Sequence, residues 1–404
     1  MSTSATALRC AAALSTSPDT RRAVAEVLDE ACGRLEGPCN LAMLFASAQH
    51  APKLDSLGAL LSERLETEAV LGCTGESIVG GDREIEQQPA VALWLARLPE
   101  TTVLPMHLEF AQTQEGGTFT GWPSDMPSRW PPGATLFLLG DPFSFPADDL
   151  IARINEDHPG APVLGGMASG GTGPRENRLL VGGRWHDHGA AAALVYGATR
   201  IRSVVSQGCR PIGRPFIVTK AEANVIRELG GMPALARLQE VFGDLTAAEQ
   251  QLVRSGLHVG RVLSEYQEHF TRGDFLVRNV IGADPNTGAI AIGDYVRPGQ
   301  TVQFHIRDAA TADEDLRALL AQAATESGEE SRSLPAGALL FTCNGRGTRL
   351  FPQPNHDASC LRDCLGEIPV AGFFAQGELG PIGGKNFLHG FTASVALFQG
   401  SDKS

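Results

Sequence analysis

No run of 18 apolar residues occurs in the 404-residue chain, so no transmembrane helix is expected. Basic residues are in the minority, 33 Lys and Arg against 46 Asp and Glu, for a formal net charge of -13. Nucleic acids and anionic membrane surfaces both require clustered cations, so neither is expected as a partner. The eight cysteines, Cys10, Cys32, Cys39, Cys73, Cys209, Cys343, Cys360 and Cys364, include no CxxC pair. That spacing signals neither a zinc ribbon nor a disulfide framework, and reduced thiols buried as small core residues are expected. No segment is low-complexity, and no cofactor is expected. Residues 1–16 carry no basic n-region, and their longest apolar run, 10–14, is too short for a secretory h-region. A cytoplasmic protein is the expectation.

What is present is a recurring phrase. With 43% hydrophobic residues the chain can bury ordinary cores, and its length suits about two or three domains. An apolar strand reaches a glycine three times, at Gly72, Gly165 and Gly372, and glycine there would let the backbone leave the strand. Each glycine follows an earlier strand (41–47, 135–140, 338–343) by roughly 30 residues, with a helical pattern between (55–66, 147–156, and around Cys360 to Leu365). Each is followed by another apolar run, 90–96, 190–196 or the end of 368–398, expected to close its unit as a hairpin. Strand, helix, strand at this spacing is a βαβ unit with a right-handed crossover. An α/β protein (α+β by strict definition) built from repeated β-α-β-β units, its mixed sheets covered by helices, is therefore expected.

Elsewhere, 18–34 reads as a helix capped by Asp19, and 112–133 as a long surface loop and candidate lid. A strand at 201–207 leads to Gly208-Cys209-Arg210-Pro211, read as an interdomain hinge with Arg210 as a strut. Residues 222–229 read as helical, and Pro233 as a helix start. Residues 275–281, 289–292 and 301–306 form a meander turning at Asp284-Pro285-Asn286-Thr287-Gly288. Thr311 is expected to cap a helix through Ala323, and 326–333 to form a polar linker.

Phe275-Leu-Val-Arg278, Gly293-Asp-Tyr-Val-Arg-Pro-Gly-Gln300, Phe341-Thr-Cys-Asn-Gly-Arg-Gly347 and Gly372-Phe-Phe-Ala-Gln-Gly-Glu-Leu-Gly-Pro381 resemble the C-terminal FIST domain. Leu71-Gly-Cys-Thr-Gly-Glu76, Leu164-Gly-Gly-Met-Ala168 and Gly208-Cys-Arg-Pro-Ile-Gly213 resemble its companion, the N-terminal FIST domain. The resemblance covers about 34–398 and implies domains at 1–212 and 213–404. It also implies an intracellular sensory module for a small ligand, amino acids among those suggested, in signal transduction. No kinase, cyclase, chemoreceptor or F-box segment fits, so the output is expected in a separate, unknown downstream protein.

Cys343-Asn344-Gly345-Arg346-Gly347 leaves a strand with two glycines framing an arginine, a concavity suited to a carboxylate or phosphate. The plainer reading ties Arg346 to Glu378 or another acid in a tight turn. Asn344 offers a donor and an acceptor. Glu378 and Glu76 take similar places in their copies, and a carboxylate opposite an arginine would complement an amino acid; solvated glutamates on glycine-rich turns are the plainer alternative. The expected ligand site is Cys343, Asn344, Gly345, Arg346, Gly347, Phe374, Gln376, Glu378 and Glu76. His188-Gly189 and His389-Gly390 match in position, and His186-x-His188 has a metal-like spacing without a further clustered ligand, so hydrogen bonds to a neighbouring loop are expected. Arg278, Tyr295 and Arg297 are pocket candidates or surface partners. Cys343 and Cys73 are the thiols worth testing, Cys343 as the weak candidate for a nucleophile. Cys360 and Cys364 read as packing. A binding protein is favoured over an enzyme, with a protein-interaction adaptor and a thiol-dependent hydrolase or transferase using Cys343 as the alternatives.

Overall fold

The computed structural model describes residues 7–113, 116–267, 269–270, 272–325 and 334–400; the linker expected at 326–333 lies outside the described residues. The chain packs as two compact units, one of residues up to Ser206 together with Leu316 onward, the other Gln207–Asp315.

Three copies of one motif build the first unit. In each, two parallel strands flank a crossover helix: Leu41–Ser47 with Val70–Gly75, Thr135–Gly140 with Val163–Met167, and Gly337–Cys343 with Val370–Ala375. The crossover helices are Gly58–Leu65, Ala147–Asp157 and His356–Leu365. Every residue of these six strands is buried, as near-continuous apolar runs must be when both faces of a sheet are covered. A further strand, Val91–Arg97, Ala190–Gly197 or Ala393–Gln399, lies antiparallel to the first on its other side. It does not close a hairpin with the second strand, as the sequence suggested. Outside it runs one more antiparallel strand, Arg9–Ser15, Thr101–Thr113 or Arg200–Ser206, at the sheet edge in the first and third copies.

The hairpin after each second strand leaves its own sheet. Ser77–Gly80 and Arg83–Glu86 extend the third copy's sheet, Leu179–Val181 and Arg184–His186 the first copy's, and Glu378–Ile382 and Lys385–His389 the second copy's. The exchange is cyclic, so every copy lends one hairpin and receives another. The central faces meet in a core that includes Phe45, Phe137, Phe341, Phe373, Trp94 and Phe398. Helices cover the outer faces, with Val24, Val27, Leu28 and Leu61 over the first sheet and Leu316, Leu320 and Leu361 over the third.

The three glycines act differently from expectation. Gly72, Gly165 and Gly372 lie within their strands, each in register with a leucine of the parallel neighbour, Leu44, Leu138 or Leu340. A Cβ on them would stand 2.2, 2.0 and 1.8 Å from that leucine's carbonyl oxygen. Their shared requirement is close approach of two backbones, and of the three only Gly165 has a positive φ, 139°.

The second unit carries a seven-stranded sheet, antiparallel throughout, with the helices Ala234–Asp244 and Ala247–Ser255. Residues 222–229 are not helical. Cys209–Glu222 and Val225–Leu229 pair as strands about Ala223, whose φ is 51°, burying Ile226 and Leu229. Arg210 is a strut, bonded to Glu249 at 3.0 Å and Asp308 at 3.4 Å. Asp308, rather than Thr311, caps the helix Ala309–Thr325, its Oδ1 accepting from Ala310 N at 2.9 Å.

The second unit interrupts the third copy between its edge strand and the helix Ala309–Thr325. The corresponding link in the first copy, between Arg9–Ser15 and the helix Thr20–Arg34, is only the turn that Asp19 caps. A division at 212 and 213 follows chain order and separates the third copy from the other two; the compact units keep all three together because their sheets share strands. The loop expected at 112–133 begins as a hairpin, Thr101–Thr113 with Gly116–Thr120, and buries Phe119 and Trp130.

Candidate functional site

The copies have equivalent corners where the first strand ends. Ser47, Asp141 and Cys343 each donate a backbone N–H to the residue before the third strand, Ala90, Gly189 and Thr392, at 2.9, 2.9 and 3.0 Å. The carboxyl ends of parallel strands are where open α/β sheets place ligands. The loops leaving the second strands converge there. Glu76 N donates to Ser169 Oγ at 2.9 Å, the Ser169 hydroxyl donates to the Phe374 carbonyl, and Gln376 N donates to the Met167 carbonyl at 3.0 Å.

Charge is concentrated in the third corner. Arg346 is fully buried, with Nε and Nη2 on the two oxygens of Asp357 at 2.7 and 2.8 Å. Thr342 Oγ1 donates to Asp357 at 2.5 Å, and His356 Nδ1 lies 2.8 Å from its other oxygen. Burial opposes ionisation of both Asp357 and Arg346, but each outweighs that for the other, so Asp357 is held well below the usual carboxylate range and Arg346 above its ordinary value. The first copy's hairpin supplies Glu84, whose Oε1 accepts from Ala358 N at 2.9 Å in the first turn of the helix His356–Leu365. Burial, then the charge of Asp357, pushes the Glu84 carboxyl up to about 8. Glu86 of the same hairpin accepts from Thr348 N and Oγ1 at 2.9 and 2.6 Å.

Glu378 is also fully buried and accepts from Thr392 N at 3.1 Å and from the Cys343 thiol. Burial pushes this carboxyl up to about 8 against those hydrogen bonds and the nearby Arg346 charge. Four buried polar atoms in this corner have no hydrogen-bond partner among the described residues: Arg346 Nη1, Glu378 Oε1, Asn344 Oδ1 and Glu84 Oε2. Such atoms are rare in folded proteins because each forfeits its hydration without compensation.

The structure therefore brings together Cys343, Asn344, Gly345, Arg346 and Glu378. Gly345 N approaches Cys343 Sγ at 3.4 Å, and Asn344 and Gly345 are half-buried. Gly347 has φ 57° and no room for a Cβ, which would lie 2.8 Å from both the Glu86 carboxyl and the Phe374 ring. Phe374 is buried and Gln376 exposed. Glu76 stands on the rim, paired with Arg349 rather than Arg346.

Glu76 and Glu378 are not equivalent. In strand register Glu378 faces Gly166, while the corresponding residues Ile78 and Leu179 face Phe373 and Cys73. Counting onward from the three glycines, Glu76 corresponds to Ser169 and Gln376. The hairpin pairs Leu179 with His186 and Glu378 with His389 likewise match His389 to His186, not to His188. His186 stacks on His107 with centroids 3.7 Å apart, and burial with the His107 charge lowers it to about 4. His188 bonds Asp187 at 2.8 Å and Glu109 at 3.2 Å. In the second unit Arg278 pairs with Asp294 at 3.4 Å, Tyr295 is exposed, and Arg297 N donates to Gln300 at 2.8 Å. Cys73 is fully buried, and burial alone pushes its thiol up. Sequence reasoning missed Asp357, Glu84, Thr392 and Ser169. An acid in the first turn of a helix, Asp357, was the one readable signal; Glu84 and Ser169 arrive from other copies, and Thr392 meets Cys343 only through pairing of the third copy's distant strands.

Family models match along most of the chain, the FIST N domain over residues 40–232 and the FIST C domain over 234–381. Among known proteins, uncharacterized protein Rv0628c of Mycobacterium tuberculosis is 46% identical over 392 residues, 97% of this chain and 100% of that protein. Uncharacterized protein Mb0898c of Mycobacterium bovis is 43% identical over 397 residues, 97% of this chain and 99% of that protein. FIST domains are generally linked to small-ligand sensing in signalling. Among the described residues, no helix is long and apolar enough to cross a membrane. The chain, with both segments in order and relatives matched along nearly its full length, belongs to the FIST family.

Proposed function

We propose that this protein is a sensor of a small polar ligand, held in the third corner by Cys343 to Gly347 and Phe374 to Glu378, and that a separate protein reads its bound state. The observation that carries the reading is the set of unpartnered buried atoms, Arg346 Nη1, Glu378 Oε1, Asn344 Oδ1 and Glu84 Oε2. With Glu378 and Glu84 giving up their protons as the ligand binds, one donor and three acceptors suit a ligand with a single acidic oxygen to place and several N–H groups to give. An amino acid, with its carboxylate toward Arg346 and its ammonium toward Glu378, is the simplest member of that class. Arg346 offers only Nη1, because Asp357 occupies its other two bonding nitrogens. The ligand's acid is then held by one charge-assisted bond rather than a fork.

A thermal-shift screen against amino acids, small carboxylates and nucleotides tests this. A ligand at ~100 times its dissociation constant adds about 2.7 kcal/mol of stability. Asn344→Ala is the control, since it removes one contact without stripping Asp357 of its counter-ion. A shift seen in the native protein and reduced in the variant supports the reading; no shift across the panel, or an equal shift in both proteins, refutes it.

A further inference from the structure

The equivalent corners differ in a way that ligand binding does not require. Ser47 spends its hydroxyl oxygen on Ala90 N at 2.9 Å, and Asp141 accepts from Asn177 at 2.9 Å and Ser144 at 2.6 Å. Cys343 instead presents its thiol to a carboxyl, Glu378. One residue clamps the pair: the Thr392 carbonyl accepts from Cys343 N at 3.0 Å, and Thr392 N holds Glu378 Oε2 at 3.1 Å. The fold does not demand an acid here, because the equivalent positions carry Ile78 and Leu179, both fully buried. Among the described residues, Glu378 Oε1 and Arg346 Nη1, on fully buried side chains, have no hydrogen-bond partner.

We propose that Cys343 is an acyl-accepting nucleophile with Glu378 as its base, acting on activated esters or thioesters. The S–H proton passes to the Glu378 carboxylate as Sγ bonds to the acyl carbon. Negative charge develops on the carbonyl oxygen, for which the donors would be Gly345 N–H, 3.4 Å from Sγ, and the unpartnered Arg346 Nη1–H. Collapse breaks the bond from acyl carbon to leaving group, which departs with the proton from Glu378. The product is S-acylated Cys343 with the carboxylate restored. Attack by water, its proton taken by Glu378, then releases the carboxylic acid and returns the thiol. Burial pushes Glu378 up to about 8, so the carboxylate fraction that can act as the base grows as pH rises toward that value.

This activity uses the same corner as the sensing reading but does not rest on it. The test is incubation of the full chain with 4-nitrophenyl acetate, following nitrophenolate release and mapping acetyl groups by mass spectrometry. The expected result is one acetyl, on Cys343, formed faster as pH rises toward 8, absent in Cys343→Ala and ~100-fold slower in Glu378→Gln. Glu378→Ile installs the first copy's own residue, so it separates loss of the base from loss of the fold. Acetylation of other cysteines with Cys343 untouched, or an unchanged rate in both Glu378 variants, overturns the proposal. Acetylation without any ligand-induced thermal shift would instead leave this activity standing and sensing refuted.

Discussion

The corners at Asp141 and Cys343 occupy equivalent places in one repeated motif, yet they handle buried polarity in opposite ways. At Asp141 the polar partners are supplied. Asn177 donates to Asp141 at 2.9 Å while its Oδ1 accepts from Gly171 N at 2.7 Å, and Ser144 bonds both Asp141 and Gly189 N, at 2.6 and 3.0 Å. Among the described residues, none of these side chains has a buried atom without a partner. At Cys343 three carboxyls and a guanidinium are buried, and among the described residues four of the corner's atoms have no partner. A satisfied network rigidifies a corner, whereas an incomplete one carries a standing cost that a bound group would remove. That contrast is the ground on which the Asp141 corner is read as structural and the Cys343 corner is proposed as the site.

The largest effect expected is at the buried ion pair. Arg346→Ala leaves Asp357 charged and enclosed, and a loss of about 3–5 kcal/mol in urea unfolding is predicted. Replacing both, Arg346→Met with Asp357→Leu, should recover most of it, because two apolar side chains carry no desolvation penalty. Were the double variant as unstable as the single one, the pair would be a packing element and the contrast between corners would fail. Asn177→Ala in the satisfied corner exposes unpaired groups of lower charge and should cost ~1–3 kcal/mol. A cost equal to that of Arg346→Ala would break the comparison from the other side.

Proton linkage sharpens the contrast. Glu378 and Glu84 are raised from an ordinary 4.5 to about 8, so the folded protein keeps protons that the unfolded chain has released. Their stability contribution is complete below pH 4.5 and is lost as pH rises toward 8. Asp357 acts in the opposite sense, since its depressed value gives stability that disappears as pH falls below its ordinary 3.8. Unfolding of the native protein between pH 5 and 8 should therefore show a declining stability that is shallower in Glu378→Gln. An identical slope in both would mean that Glu378 is ionised in the folded state. By the same linkage, binding an ammonium-bearing ligand at pH 7 should release protons, visible as a dependence of binding heat on the buffer's ionisation enthalpy.

The architecture was largely legible, for a definable reason. Wholly buried parallel strands leave continuous apolar runs, and the close approach of Gly72 to Leu44, repeated at Gly165 and Gly372, puts a glycine at a constant place in each. Those signals are local. The cyclic hairpin exchange is not, because Ser77–Gly80 pairs with Val370–Ala375 some 290 residues away without any change in its own pattern. For the same reason Cys343, Arg346 and Glu378 could be singled out from the third copy's own loops, whereas Glu84, arriving on another copy's hairpin, could not. Residues 222–229 misled for a different reason: Val225, Ile226 and Leu229 fit a helical stripe, and only pairing with Cys209–Glu222 settles them as a strand.

The rim offers the smallest effect and the finest division between the corners. Arg349 and Glu76 bond at 2.5 Å with 47% and 27% of their side-chain surfaces exposed, and Arg349 also holds the Asn344 carbonyl at 2.8 Å. An exposed pair of this kind contributes ~0–1 kcal/mol, screened by salt. A double-mutant cycle with Arg349→Ala and Glu76→Ala should return a coupling within that range and leave Cys343 labelling unchanged. A larger coupling, persisting at high salt and accompanied by faster labelling, would mean that the pair holds the third corner shut. The unmatched atoms would then belong to a closed state with a gate at its rim, something the corner at Asp141, with its partners all in place, has no reason to possess.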